Sequence, residues 1–254
     1  MQILIRLLAA FALVSVMAGG ALPAAAQDKV RLLLDWFVNP DHAALVIAKQ
    51  RGIFAKHGLD VELIAPADPN APPKLVAAGQ AEYAVSYQPT LQMLAAEGLP
   101  LVRVGVLVAQ PLNSLVALED GPVKSIADFK GRKIGYSIAG FEEALLGAIL
   151  EKAGLTLKDV TLINVNFALT TALMSKQVDG VIGAFRNFEL NDLTLHKAKG
   201  RLWEVEKNGV PIYDELVLVA KRETVDVART KKLVAAIAEA TTWVKANPDE
   251  AWGV

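Results

Sequence analysis

Val30-Arg31-Leu32-Leu33-Leu34-Asp35-Trp36-Phe37-Val38-Asn39-Pro40-Asp41-His42 is the stretch from which the fold can be read. Val30–Leu34 is a short apolar run bounded by polar residues, the pattern of a buried strand. Asn39 follows as a candidate helix N-cap, and Pro40 takes the first helical position, where an amide hydrogen is not needed. Asp41 suits the positive end of the helix that begins there, and Gly52 stands just past the end of a helical pattern over 41–51. A strand passed to a helix by a short loop is the repeating unit of an α/β fold.

The same alternation runs along the chain. Strands are predicted at Val30–Leu34, Val61–Ala65, Tyr83–Ser86, Leu101–Val108, Ser114–Leu118, Lys133–Tyr136, Thr161–Val165, Gly180–Phe185 and Leu216–Ala220. Helices are predicted near 41–51, 72–78, 89–97, 141–153, 168–175 and 225–246, giving an α/β fold with largely parallel sheets. An internal echo links Ala77-Ala78-Gly79-Gln80-Ala81-Glu82-Tyr83-Ala84-Val85 with Met174-Ser175-Lys176-Gln177-Val178-Asp179-Gly180-Val181-Ile182. A second links Gly58–Ile64 with Lys158–Ile163. The repeat is too long for a solenoid and suits two lobes built on one plan. The connections between lobes fall near Ala109–Ser114 and Val210–Glu215. Lobe one is then 27–110 with 214–254, and lobe two is 111–213. Two crossovers make a hinge, and the interlobe cleft is the natural ligand site.

Composition narrows the function. The 254 residues carry 27 acidic and 26 basic side chains, no cysteine and three histidines. A charge of −1 argues against nucleic-acid binding, which needs a basic stripe. Without cysteine there are no disulfides, thiolate metal sites, cysteine nucleophiles or lipid-modified cysteine. His42, His57 and His196 are too scattered for a multi-histidine metal site, so no metal and no cofactor are expected. Residues 1–26 read as a secretory signal: one early charge at Arg6, an apolar run over Leu7–Ala21, then small residues before cleavage near Ala26. The apolar stretch is short against the ~20 residues of a bilayer span. The expected location is the periplasm of a double-membraned bacterium, where export confines a soluble protein.

No phosphate loop, dinucleotide glycine triplet, nucleophile elbow or paired-histidine helix is present in the sequence. Three segments stand out instead. The first is Asp35–His42, at the carboxyl end of the first strand, where ligand crevices form. Trp36 can stack on a planar heterocycle, worth about 0.5–1.5 kcal/mol beyond burial. Phe37 reads as the core member of the pair, although both rings would also suit an ordinary core. The second is Ser86-Tyr87-Gln88-Pro89, a possible stacking ring with an amide, or simply a capped turn. The third is Gly183-Ala184-Phe185-Arg186-Asn187-Phe188-Glu189, where Asn187 offers a two-way amide. Glu189 can accept from a ring N–H and an exocyclic amine together, or lie near the start of a solvated helix.

These blocks, with Pro66-Ala67-Asp68-Pro69, Lys74–Gly79 and Pro111-Leu112-Asn113-Ser114, together resemble the bacterial periplasmic binding proteins for thiamine-pyrimidine precursors. Such proteins serve ABC importers of formylaminopyrimidine or hydroxymethylpyrimidine, within a superfamily that also holds sulfonate-binding proteins and thiamine-pyrimidine synthases. The resemblance spans roughly residues 29 to 222. Ser125–Tyr136 resembles the second-lobe opening of many importer binding proteins and supports the fold more than the ligand. The resemblance implies a two-lobed type II periplasmic-binding-protein fold, with the ring stacked near Trp36 and Tyr87. Polar contacts would come from Asn39, Asn113, Asn187 and Glu189. The implied partners are an ABC permease and its ATPase subunit, the membrane being reached only through the permease, with the chain a monomer.

Two departures qualify the resemblance. Relatives that bind the formylated pyrimidine carry an aromatic residue and a histidine where this chain has Arg186 and Phe188, and Arg186 would suit an anion or a flavin-like ring. The fungal pyrimidine synthases carry a cofactor lysine aligned with Ser86, a substrate histidine aligned with Thr90, and a cysteine-rich run. Serine cannot form the cofactor's imine and threonine cannot donate imidazole atoms. The expectation is therefore a binding protein and not an enzyme, with a pyrimidine synthase, or a binder of riboflavin or a sulfonate, as alternatives. Relatives also continue beyond the segment resembling Ala246–Trp252, so a fragment or truncated gene is expected, with apolar surface left exposed on lobe one.

Overall fold

The computed structural model describes residues 27–253, so the expected signal segment lies outside the described residues. Ten strands form two five-stranded sheets. The first contains β1 (Asp28–Leu33), β2 (Leu59–Ile64), β3 (Tyr83–Ser86), β4 (Leu101–Val108) and β10 (Leu216–Lys221), in the order β2-β1-β3-β10-β4. The second contains β5 (Asn113–Leu118), β6 (Lys133–Tyr136), β7 (Thr161–Asn164), β8 (Gly180–Phe185) and β9 (Gly200–Glu204), in the order β7-β6-β8-β5-β9. Nine helices are described: α1 (Ala43–Gln50), α2 (Ile53–Lys56), α3 (Pro72–Ala77), α4 (Gln88–Ala96), α5 (Phe141–Glu151), α6 (Leu169–Met174), α7 (Glu189–Leu195), α8 (Val227–Ala246) and α9 (Pro248–Trp252).

The two sheets match strand for strand. Each has a parallel trio, β2-β1-β3 in one and β7-β6-β8 in the other, aligned by pairs such as Val30↔Val61 and Ile134↔Gly180. The echoed segments occupy matching places: β3 corresponds to β8, and β2 to β7. Each sheet is completed by an antiparallel strand from across the hinge, β10 beside β3 and β5 beside β8. These crossing strands make the sheets mixed rather than largely parallel, because a chain returning from the other lobe runs against the trio. The fold is thus α/β and two-lobed, with a hinge and an interlobe cleft.

The cores follow the apolar pattern. Leu32 and Leu34 are fully buried, as are Leu45 and Ala48 on α1. On α8 the buried positions are Leu233, Ala236, Ile237 and Ala240, the spacing of one helix face. That face lies on α1. Truncating one such leucine to alanine costs about 2–5 kcal/mol. The Asp226 side chain starts α8 by accepting from the Arg229 amide at 3.0 Å.

Predicted and observed elements differ chiefly where apolar patterning is thin. β9 escaped the sequence reading because Gly200-Arg201-Leu202-Trp203-Glu204 is a half-buried edge strand with polar ends. α2, α7 and α9 are each seven residues or fewer, too short for a helical period to show. The turn at Asn39 is as expected in chemistry but begins as a 3-10 turn over Pro40–His42 before α1. Among the described residues no helix is long and apolar enough to cross a membrane.

Candidate functional site

Loops at the carboxyl ends of both parallel trios meet across the cleft. From β1 comes Asp35-Trp36, from β3 Ser86-Tyr87, from β6 the turn into α5, and from β8 the turn into α7. The Asn39 side chain accepts from the Asp41 amide at 2.9 Å, and its Nδ2 donates to the Phe37 carbonyl. His42 Nδ1 accepts from the Asn39 amide at 3.3 Å, so Nε2 carries the proton and donates to Asp35 Oδ1 at 2.9 Å. Tyr87 donates its hydroxyl to Asp35 Oδ2 at 2.8 Å. The buried Asp35 is therefore held on both oxygens. Burial and the Asp35 charge push the Tyr87 phenol well above its ordinary range.

An aromatic seam joins the lobes. Trp36 meets Phe167 edge-on, with ring centres 4.7 Å apart. Tyr87 stacks on Phe141 at 5.4 Å and meets the edge of Phe185 at 6.4 Å. Trp36 is 7% exposed, and its Nε1 is buried without a hydrogen-bond partner. Phe37, expected in the core, is 42% exposed. It lies at the outer end of the seam against Phe188, 5.6 Å centre to centre. The order of the two rings is thus the reverse of that expected, because the turn into Pro40 directs the indole inward.

Lobe two supplies carboxylates. Glu189 is buried at the start of α7 and accepts from the Phe185 amide at 2.6 Å. Burial pushes its pKa up to about 8, against the lowering effect of that bond and with Asp41 and Asp192 adding repulsion. Glu142, in the first turn of α5, accepts from the Ser137 amide at 2.6 Å and is pushed up to about 8 by burial, with Glu215 and Glu189 adding repulsion. Gly183 faces it, at φ +99°, where a Cβ would fall on the Glu142 carboxylate. At the hinge, Glu215 accepts from the Leu112 and Asn113 amides at 2.6 and 2.8 Å and from the Tyr213 hydroxyl, and burial brings it up to about 7.

The residues singled out from sequence divide into three groups. Trp36, Asn39, Tyr87 and Glu189 surround one small void with Asp35 and Glu142, of about 20 Å³. That is room for about one water molecule. Asn187 does not line it, and donates instead to Asp41 Oδ1 across the cleft at 2.6 Å, leaving its own Oδ1 buried and unpartnered. Burial raises the Asp41 pKa, against the Asn187 bond. Asn113 sits behind the void, where its Oδ1 accepts from the Gly183 amide at 3.0 Å. Arg186, weighed as an anion contact, instead pairs with Glu204 and Glu206 and donates to the Pro111 carbonyl, so it ties the hinge. Glu142 and Glu215 were not read from sequence, since single acids at a helix start and a loop end carry no motif. A second, larger cavity of about 290 Å³ opens on the other side of Tyr87.

The molecule has the two-lobed periplasmic-binding-protein fold: matched α/β lobes, crossed twice by the chain, with rings and buried acids converging between them. It belongs to the NMT1/THI5-like family, whose model matches residues 39–251. A Haemophilus influenzae protein named for thiamine biosynthesis is 53% identical over 231 residues, covering 91% of this chain and 74% of its own. The formylaminopyrimidine-binding protein of Halalkalibacterium halodurans is 34% identical over 257 residues, covering 100% of this chain and 77% of its own. A 4-amino-5-hydroxymethyl-2-methylpyrimidine phosphate synthase of Legionella pneumophila is 27% identical over 66% of this chain and 52% of its own. Among solved structures, the alkanesulfonate-binding protein of Xanthomonas axonopodis shares the fold, with a TM-score of 0.72 at 18% identity over 89% of this chain and 76% of that one.

Proposed function

We propose that this chain is the periplasmic substrate-binding component of an ABC importer, and that its ligand is an aminopyrimidine precursor of thiamine. The observation that carries the reading is the pairing of an unpartnered buried indole N–H, Trp36, with a buried carboxylate, Glu189, from opposite lobes at one void. Buried acids that receive only backbone N–H groups favour a ligand that brings further N–H donors. An aminopyrimidine does so along one edge, while its flat faces suit Trp36 and Tyr87. The family and the similarity to a formylaminopyrimidine-binding protein support the same ligand class. With room for about one water, the void must widen by lobe opening before a ring enters. Ligand contacts from both lobes then favour closure, in proportion to the ligand's preference for the closed form. The permease and ATPase partners belong to this reading.

The synthase reading has less support. The cofactor-imine position expected in synthases is Ser86, and the substrate-imidazole position is Thr90. The deciding experiment is titration of protein refolded free of carried ligand, followed by tryptophan fluorescence and calorimetry. Hydroxymethylpyrimidine, its formylaminomethyl relative, thiamine, riboflavin and an alkanesulfonate would be compared. Saturable binding of the first two is expected. Response only to riboflavin or the sulfonate would transfer the site to another nutrient. An absorbance band of a pyridoxal imine after cofactor addition would favour an enzyme.

A further inference from the structure

We propose that Asp41 and Asn187 form a proton-operated latch between the lobes, closed while Asp41 is a neutral carboxylic acid and released when it ionises. The latch acts on lobe closure itself, so it does not depend on which ligand the cleft takes.

Asp41 stands in the 3-10 turn Pro40–His42 of lobe one, and Asn187 in the turn between β8 and α7 of lobe two. Asn187 Nδ2 donates to Asp41 Oδ1 at 2.6 Å, so one side-chain hydrogen bond spans the cleft. The other arm of each group is an acceptor, Asp41 Oδ2 and Asn187 Oδ1, and both are buried without a hydrogen-bond partner. An ionised Asp41 leaves two acceptors of one pair out of water with no donor, a costly arrangement that folded proteins rarely keep. A proton on Asp41 turns one of those orphans into a donor. A neutral acid and a carboxamide can then pair arm for arm, N–H to one carbonyl and O–H to the other. Turning the Asn187 amide over does not remove the need: two oxygens would then lie 2.6 Å apart, a spacing that itself calls for a proton between them.

The surroundings favour the neutral acid. On the lobe-one side stand Asp35, already bonded on both oxygens, and His42, whose ring nitrogens are taken by Asn39 and Asp35. Lobe two adds the charge of Glu189, while Arg186, next to Asn187, is spent on Glu204 and Glu206. Where β4 and α8 line a groove with Asp41, the neighbours include Leu107, Val234 and Ile237, and Thr241 gives its hydroxyl to the Ile237 carbonyl. Burial raises the Asp41 pKa, against the Asn187 bond and the His42 ring and with added repulsion from Asp35. Opening the lobes withdraws Asn187 and wets Asp41, which returns toward the ordinary value of about 3.9. The closed form therefore holds the proton more tightly than the open form. Its advantage from Asp41 is fully present below about pH 3.9 and is lost as pH rises through the raised value.

The test uses the ligand-free full chain, with the radius of gyration followed by small-angle scattering from about pH 4 to about pH 8. Asp41→Asn is the telling variant, because an amide keeps both arms of the pair without needing a proton. D41N should match native protein at the acid end and be the more compact at the neutral end. Between them the closed-to-open ratio of native protein, relative to D41N, should fall by up to tenfold per pH unit, the limit for one linked proton. Glu142 and Glu189 titrate in both proteins and so cancel in the comparison. Asn187→Ala removes the partner and should abolish the compaction at the acid end, after which adding D41N should change little. Circular dichroism establishes folding, and N187A carries the test alone if D41N does not fold. A D41N protein more open than native at the neutral end would mark an ionised Asp41 in the closed form and overturn the latch. Superimposed profiles of native and D41N protein, or a native pH profile in N187A, would overturn it as well. Ligand titration decides the aminopyrimidine reading separately.

Discussion

Four corners of the cleft can be compared in pairs, because the lobes are built alike. After β1 stands Trp36, and after the matching β6 stands Glu142. After β3 stands Tyr87, and after the matching β8 stands Glu189. At these four corners lobe one places rings and lobe two places acids, although both lobes add rings to the seam between them. The acids also differ in their compensation. Asp35 in lobe one is bonded by His42 and Tyr87, whereas Glu142 and Glu189 receive only backbone N–H groups and sit near other acids. One backbone plan therefore brings the same two strand ends of each lobe to the cleft. The side chains at these four corners differ in kind, two rings from lobe one and two buried acids from lobe two, and burial holds both acids up to about 8, so they keep their protons near neutral pH.

The comparison breaks most visibly at the indole. Trp36→Ala should lower affinity for the cognate pyrimidine by 100-fold or more, about 3 kcal/mol, while far-ultraviolet circular dichroism remains native. Full retained affinity would remove the ring side from the site.

Replacing the opposing carboxylate should cost less. Glu189→Gln keeps the shape but offers one acceptor in place of two, so a loss of about 10- to 50-fold is expected by calorimetry. The same variant has a pH signature. Glu189 is raised to about 8 in the folded chain, so folding takes up a proton between the unfolded carboxylate range and that value. Its contribution is fully present below pH ~4.5 and is lost as pH rises through ~8. Ligand-free native protein should therefore lose stability over that window. Glu189→Gln should flatten the decline and be the more stable protein at pH 8 by a few degrees of Tm. Parallel Tm profiles for the two proteins would mean that Glu189 is not buried as an acid.

Gly183→Ala sharpens the contrast from the backbone side. The positive φ and the overlap with the Glu142 carboxylate should cost about 2–3 kcal/mol of stability, read by denaturant unfolding. The smallest effect belongs to the clasp at the rim. Asn70 accepts from the Ala139 amide at 3.0 Å and donates to the Ser137 carbonyl at 3.1 Å, both in lobe two. Asn70→Ala should favour the open form by about 1 kcal/mol, seen as a larger radius of gyration without ligand in solution scattering.

Much of the fold was legible because buried strands are short apolar runs and the lobes repeat. The Asn39-Pro40-Asp41 turn was legible because its residue types have a fixed use. The convergence of residues on one void was legible where they follow a strand end, as at Trp36, Tyr87 and Glu189. It was not legible where a role depends on packing between distant segments. Glu142 carries no local mark, and only the approach of Gly183, forty-one residues on, makes it a buried acid at the cleft. For Arg186 the sequence left open a contact with an anion or a flavin-like ring, because its hinge partners, Glu204 and Glu206, lie eighteen and twenty residues along the chain. Asn113 is near the site but is spent on the Gly183 amide, a bond no spacing foretells.

The crossing strands impose an order on assembly. Every strand of the second sheet lies between residues 113 and 204, so that sheet can close as soon as its own segment is available. The first sheet cannot, because β10 sits between β3 and β4 and arrives only with residues 216–221. Until then β3 and β4 each show an unpaired edge, a template for wrong pairing. In a polypeptide made amino end first, the half that emerges earliest is therefore the last to finish, and its bare strand edges wait longest for their partner.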